Sequence, residues 1–312
     1  MGLSDDLLCK DNYLVLDWGL RVMLGEVLAL AASLCWAIGA NLYRSSARSI
    51  SPTTLNLVRS MSAALVLFTS VEVLGKSRYF LLLNLNSTTY LTVASLIGWA
   101  LGDTLYFAGL KWIGVSRTVP LAYSYPLFIL PFSALLLNER VTINIVLGSF
   151  VIVVAIWLIC GSMREVLYAT SWRSKLGVLA PIGAAFCWAV AVLMLKRMTA
   201  IFDHIFLAFF KMLAVIPFMT CYVAFSSKGL SQLRLLDARA LVMALAGGAI
   251  AVGLGDMIYF IGLSLAQANI VASLGASTPI FATLIAFKKE RPSLRTVIGV
   301  SLVAIGFVLL TY

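Results

Sequence analysis

Long apolar runs, each about twenty residues and nearly free of charge, fill this chain from about residue 24 to its end. A helix that crosses a bilayer needs about 20 mostly apolar residues. In lipid only helices and closed barrels satisfy their own backbone polar groups. Barrel strands would be about ten residues long with alternating polarity, and the runs here do not alternate. The chain therefore reads as an all-α membrane protein. Ten spans are expected, at roughly 24–43, 54–74, 88–110, 117–137, 142–161, 175–195, 204–226, 239–263, 267–287 and 293–312. The longest connections, 76–87, 162–174 and 227–238, leave no room for a soluble domain between spans. Composition agrees: hydrophobic types make up 62% and charged types 12%, against roughly 45–50% and about 25% in soluble domains.

A duplication is the second constraint. Leu101-Gly102-Asp103-Thr104-Leu105-Tyr106-Phe107 returns as Leu254-Gly255-Asp256-Met257-Ile258-Tyr259-Phe260. Cys35-Trp36-Ala37 matches Cys187-Trp188-Ala189, Arg44 matches Lys196, and Arg59 matches Lys211. Ser124-Tyr125-Pro126 matches Ser277-Thr278-Pro279, Asn138-Glu139-Arg140 matches Lys289-Glu290-Arg291, and Gly148 matches Gly299. Five spans per copy is an odd number, so the second copy must enter the membrane upside down. The expected architecture is ten transmembrane helices as two inverted five-helix repeats. An N-terminal extramembrane segment covers 1–23, repeat one 24–161, a central loop 162–174 and repeat two 175–312. Inverted repeats are recurrent in secondary transporters, with substrate bound near the midplane between the halves.

The net charge of +10 does not indicate nucleic acid, because the basic residues are scattered between spans instead of forming a stripe. More of them flank the side away from the N-terminus, chiefly in the second half, which places both termini outside by the positive-inside rule. The five cysteines form no CxxC pair, and His204 is the only histidine, so no multi-histidine metal site is expected. Buried free cysteines behave as small hydrophobes. The first twenty-odd residues carry Asp5, Asp6, Asp11 and Asp17, unlike a cleaved leader with a basic start and apolar middle.

Charge inside the spans marks the candidate site. A carboxylate at the centre of a spanning helix costs about 2.5–3.5 kcal/mol on insertion scales, and such groups are functional candidates by default. Asp103 and Asp256 are the two matched cases, with Arg59 and Lys211 as natural partners from the neighbouring second spans. They are expected to bind substrate or protons, or to serve as structural ion pairs. Tyr106 lies on the Asp103 helical face by its spacing and Tyr259 on that of Asp256. Trp36 and Trp188 line a cavity or pack between helices. Pro126 and Pro279 interrupt spans four and nine as kinks or hinges. Ser124 and Ser277 beside them restore backbone hydrogen bonding or face substrate. Glu139 and Glu290 are expected to cap helices at the turns before the last spans.

Trp36-Ala37 in span one, Arg59 in span two, and Pro126, Asn138-Glu139-Arg140 and Gly148, with a second copy at Pro279, Glu290-Arg291 and Gly299, resemble the EamA family of the drug/metabolite transporter superfamily. The resemblance covers nearly the whole chain from about residue 24. It implies ten helices in two inverted repeats, a central cavity, export or exchange of small metabolites, no cofactor, and cytoplasmic termini, against the charge distribution. It names no substrate. The paired Leu-Gly-Asp lies outside the resemblance and leaves Asp103 and Asp256 as candidates for a more particular function.

The resulting expectation is a non-enzymatic, multi-pass protein of the cell membrane. It would move a small polar metabolite by alternating access, without a nucleotide-binding GxxxxGK[ST] motif. The expected partners are a small-molecule metabolite and the lipid bilayer, with protons and a second copy of the chain as open partners and nucleic acid excluded. Gly253-Leu254-Gly255-Asp256 also spells GxGD, so an intramembrane aspartyl protease is an alternative; its two carboxylates would have to share a proton. A flippase for a lipid-linked substrate is a further alternative. A scaffold is disfavoured by the short loops.

Overall fold

The computed structural model describes residues 4–160, 172–225, 231, 237–286 and 294–311. The central loop at 161–171, most of the loop at 226–236, and Lys289, Glu290 and Arg291 lie outside the described residues. Among the described residues the fold is all-helical. The helices are α1 (Ser4–Ser49), α2 (Pro52–Val73), α3 (Leu85–Ser95), α4 (Asp103–Ile113), α5 (Val115–Ala122), α6 (Pro126–Leu137) and α7 (Ile143–Cys160) in the first half. The second half has α8 (Trp172–Met198), α9 (His204–Ala224), α10 (Ala238–Gly247), α11 (Asp256–Leu265), α12 (Ala268–Gly275), α13 (Thr278–Ala286) and α14 (Leu294–Thr311). Eight helical stretches are long and apolar enough to cross a membrane, and two shorter apolar helices, Ile143–Ile159 and Val297–Thr311, accompany them. The first span, Gly19–Tyr43, is the middle of one uninterrupted helix, Ser4–Ser49.

Helix starts follow local chemistry. The Ser51 hydroxyl accepts from the Thr54 N–H, with Pro52 at the first helical position of α2. Asp203 does the same for α9 through Ile205 and Asp237 for α10 through Ala240. Such caps satisfy amides that have no partner within the helix. Asn84 and Ser87 form a reciprocal capping box at the start of α3.

The two halves are interleaved, not merely abutted. In the first half α1 runs antiparallel along the third span of the second half. Gly25 lies against Gly262 and Ala266, Gly39 against Ala251, and the Ser46 hydroxyl donates to the Ala240 carbonyl at 2.6 Å. The counterpart helix α8 runs the same way along the third span of the first half. Gly177 lies against Ile113, Gly183 against Leu105, and Ala191 against Gly98. A methyl group on Gly39 or Gly177 would overlap these neighbours. Close approach at small residues is what holds helices together in lipid, where burial supplies no drive between them. Helices α7 and α14 pair through Gly148, Gly306 and Gly299 in the same manner. Side chains such as Leu65, Leu135 and Phe225 point outward, as lipid-facing surface requires.

At one end, the short helical turn Lys76–Leu82 meets the start of α9. Phe80 packs edge-on against Phe206 at 5.0 Å, and Lys76 bonds Asp203 at 2.7 Å. Burial works against the Asp203 charge. The Lys76 hydrogen bond, His204 and the Ile205 amide outweigh it and hold the carboxyl below its ordinary 3.8. A carboxyl with a lowered folded-state value stabilises the fold above its ordinary value, and that contribution disappears as pH falls through the lowered value. Lys76→Met is therefore expected to cost up to about 1 kcal/mol at neutral pH. The gap in thermal unfolding temperature between parent and variant should close in strong acid. A gap that persists there would contradict the assignment.

Candidate functional site

Each copy of Leu-Gly-Asp closes a π-helical turn. In the first half the turn covers Leu96–Gly102 and leads into Asp103 at the start of α4. In the second half it covers Gly248–Gly255 and leads into Asp256 at the start of α11. The two turns begin 152 positions apart and end 153 apart, so the extra residue of the second copy is absorbed in the wider turn. Such bulges loosen the regular backbone ladder and occur mostly at functional positions. One carbonyl inside the first turn, that of Trp99, accepts from the Asn56 side chain at 2.8 Å.

Two charge centres result, related by the repeat. Asp103 Oδ2 is ion-paired with Arg59 from α2, and Asp103 Oδ1 accepts from Trp188 Nε1 at 2.9 Å. Asp256 Oδ2 is ion-paired with Lys211 from α9, and Asp256 Oδ1 accepts from Trp36 Nε1 at 2.6 Å. Each carboxylate thus takes its cation from its own half and its indole from the other. The glycine before each aspartate makes this possible. A methyl on Gly102 would come within 3.0 Å of a Trp188 ring carbon, and one on Gly255 within 3.1 Å of Trp36. Cys187 and Cys35, next to those tryptophans, touch the same glycines.

Aromatic rings enclose both centres. Tyr106 lies 5.4 Å from Trp188, and Tyr259 lies 5.0 Å from Trp36, again as a repeat pair. The Arg59 guanidinium sits 4.9 Å from the Phe107 ring and 5.8 Å from Tyr43. Lys211 Nζ sits 4.3 Å from Trp99 and 5.2 Å from Phe260. A cation over a ring face is attracted by about 2 kcal/mol when desolvated. Arg59 Nε also donates to Asn56 at 3.0 Å.

Spans four and nine are broken at their prolines. In the first, α5 ends at Ala122 and α6 begins with Pro126. In the second, α12 ends at Gly275 and α13 begins with Thr278 and Pro279. Proline lacks the N–H that would reach four residues back. The Ala122 carbonyl takes the Tyr125 N–H instead, and the Gly275 carbonyl takes the Thr278 hydroxyl. Ser124 and Ser277 donate back to the carbonyls of Leu121 and Leu274, both at 2.6 Å, so in this conformation they repair the backbone. The first break carries Tyr123 and Tyr125 to 5.8 and 6.0 Å from Trp188.

Two expectations need correction. Glu139 does not cap the helix that follows it; its carboxylate accepts from the Ala268 and Asn269 amides at the start of α12, in the other half. Beside it Lys196 reaches the Leu263 and Ala266 carbonyls where α11 ends. Opposite charges thus meet opposite ends of two helix dipoles, each worth about 0.3–1 kcal/mol. The second correction concerns access. The aspartates do not face an open central cavity: Asp103 is 6% exposed, Asp256 4% and Lys211 0%. A cavity of about 270 Å³ lies instead between α3, α6 and α8, with Phe132, Phe186 and Met194 in its walls and Arg197 at its edge. The chain as described is closed over its charge centres. Tyr43, Asn56 and Tyr123 do not stand out in the sequence. Their only signal was a polar or aromatic side chain within an apolar run.

These features define a two-repeat, helical membrane protein with charged groups buried where its halves meet. The sequence pattern of the EamA-like transporter family matches residues 23–161 and 175–312. The chain belongs to that family, and with it to the drug/metabolite transporter superfamily, which makes it a membrane transporter. A protein of Archaeoglobus fulgidus, described as an uncharacterized transporter, is 25% identical over 294 residues, covering 92% of this chain and 98% of its own. A protein crystal structure shares the fold, with a TM-score of 0.76 at 21% identity over 92% of this chain and 98% of that one.

Removing one member of a buried pair strands the other charge, at about 3–5 kcal/mol. Asp256→Asn should therefore lower stability by that much, and adding Lys211→Met should recover most of the loss. Thermal unfolding in detergent checks both. Equal losses in the single and double variants would contradict a paired centre.

Proposed function

We propose that the chain is a secondary-active transporter that moves a small polar metabolite across the cell membrane by alternating access. The reciprocal clamp carries the reading. Each ion pair joins residues of one half of the sequence, whereas each tryptophan–aspartate hydrogen bond joins the two halves along the docked pairs that α1 and α8 form with the opposite third spans. A motion that parts α1 or α8 from the third span on which it docks breaks the crossing bond there. That frees Asp103 Oδ1 and Asp256 Oδ1, while Arg59 keeps the Asp103 carboxylate charged. A substrate bearing N–H or O–H donors then replaces the indole on the exposed carboxylate. The differential interaction that a ligand needs to shift such an equilibrium is this exchange of donors.

The inverted arrangement of the repeats is supported by the antiparallel run of α1 along the third span of the second half, and of α8 along that of the first. Parallel repeats would place those spans side by side in the same direction. Pro126 and Pro279 are proposed hinges, since the backbone bonds around them are already made by local substitutes. The protease reading loses support because each carboxylate bonds a cation and an indole, and neither is hydrogen-bonded to the other.

The test is purified protein in liposomes, screened against amino acids, sugars and nucleotides with and without a pH gradient. The parent should move one class. Asp103→Asn and Asp256→Asn should each slow it about tenfold or more, since a hydrogen bond to a charged group is worth about 1.5–3 kcal/mol. Asn variants that transport at the parental rate would contradict the role of the carboxylates.

A further inference from the structure

The two centres differ in their cation, arginine in the first half and lysine in the second, and in outer contacts: Asn56 and Tyr43 lie on Arg59 and Trp99 on Lys211, where the matching positions are Ala208, Leu195 and Val252. The surroundings are otherwise parallel, with a carboxylate, an indole donor from the other half, a tyrosine on that indole and a phenylalanine under the cation. The difference in cation changes what the pair can do with a proton. A guanidinium does not give up its proton in a protein, whereas a desolvated ammonium does.

We propose that Lys211–Asp256 is the proton-binding site of the transporter, and that Arg59–Asp103 is its permanently charged counterpart. The proposal rests on the transporter reading above. In the closed chain Lys211 holds the proton as –NH3+ against the Asp256 carboxylate. Transfer along the Nζ–H···Oδ2 hydrogen bond gives –NH2 and –COOH, with no change in net charge. Two neutral groups can part inside a membrane at far lower cost than two ions. Once parted, the acid releases its proton to the side on which Asp256 opens. The amine takes a proton from the other side, and the ion pair re-forms. One proton crosses per cycle, and no other reactant is needed.

The groups facing this site fit that role. Lys211 feels Asp256 from α11, Asp103 from α4 and Arg59 from α2, and its nearest rings are Trp99 and Phe260. The ionisable groups that interact with Asp256 are Lys211, Arg59, Asp103, Cys35, Tyr43, Tyr123 and Tyr259. The cysteine and tyrosines among them have ordinary values well above that of a carboxyl.

The indoles supply a readout that needs no substrate. Trp36 Nε1–H donates to Asp256 and Trp188 Nε1–H to Asp103, so the nitrogen–proton NMR resonance of each indole reports its own carboxylate. Among the seven tryptophans, Trp36→Phe and Trp188→Phe assign the two signals. In the ¹⁵N-labelled full chain in lipid nanodiscs, titrated from mildly acidic to mildly alkaline pH, the Trp36 signal should titrate and the Trp188 signal should stay fixed. Lys211→Arg should fix the Trp36 signal, and Arg59→Lys should make the Trp188 signal titrate. The remaining indole signals report whether each variant is folded. The assignment is overturned if both signals titrate in the parent, if neither does, or if Lys211→Arg leaves the Trp36 titration intact. Any of those results would leave the liposome test of transport standing by itself.

Discussion

A charge in the low-dielectric interior of a membrane protein must be paired and hydrogen-bonded, and the centre of this structure is organised around that requirement. Two carboxylates lie mid-span, and each meets it with one cation and one indole donor. The division of these partners between the halves links stability to mechanism. The cation bond holds a half together, and the indole bond joins the two halves. Opening an indole bond therefore disturbs a hydrogen bond to a carboxylate without separating the Arg59–Asp103 ions. Separating an unprotonated ion pair would cost several kcal/mol.

Backbone irregularity serves the same centre. The π-helical turns before Asp103 and Asp256 lie where the opposite tryptophans approach, and the glycine ending each turn leaves room for the indole. The break in span four sets Tyr123 and Tyr125 beside Trp188. The matching positions in the second half are Ala276 and Thr278, so the two centres differ in their outer surroundings as well as in their cations. Glu139, in the turn between α6 and α7, and Lys196, on α8, secure the corner between α11 and α12.

Much of this was legible in the sequence because lipid makes rules strict. Runs of about twenty apolar residues gave the helices, and in-span Arg59, Lys211, Asp103 and Asp256 stood out because charge there is expensive. Duplication made the landmarks mutually supporting, so Trp36 and Trp188 came forward as a pair. The crossing of partners was not legible. A repeat alignment says that Trp36 corresponds to Trp188, yet gives no sign that each bonds the other half's aspartate. That depends on the antiparallel docking of α1 and α8, which Gly25, Gly39, Gly177 and Gly183 permit without announcing. Glu139 was misassigned for the same reason: its local turn suggested a local cap, and interleaving brought a nearer set of free amides from the other half.

The central claim is that the halves are joined at their charge centres by two crossing indole–carboxylate bonds, and that transport opens them. The most direct measurement is an experimental structure in lipid nanodiscs, trapped in each of the two facing states. The account predicts that at least one of the bonds Trp188–Asp103 and Trp36–Asp256 is open in each trapped state, with Arg59 still on Asp103. Both indole bonds intact in both facing states would contradict it.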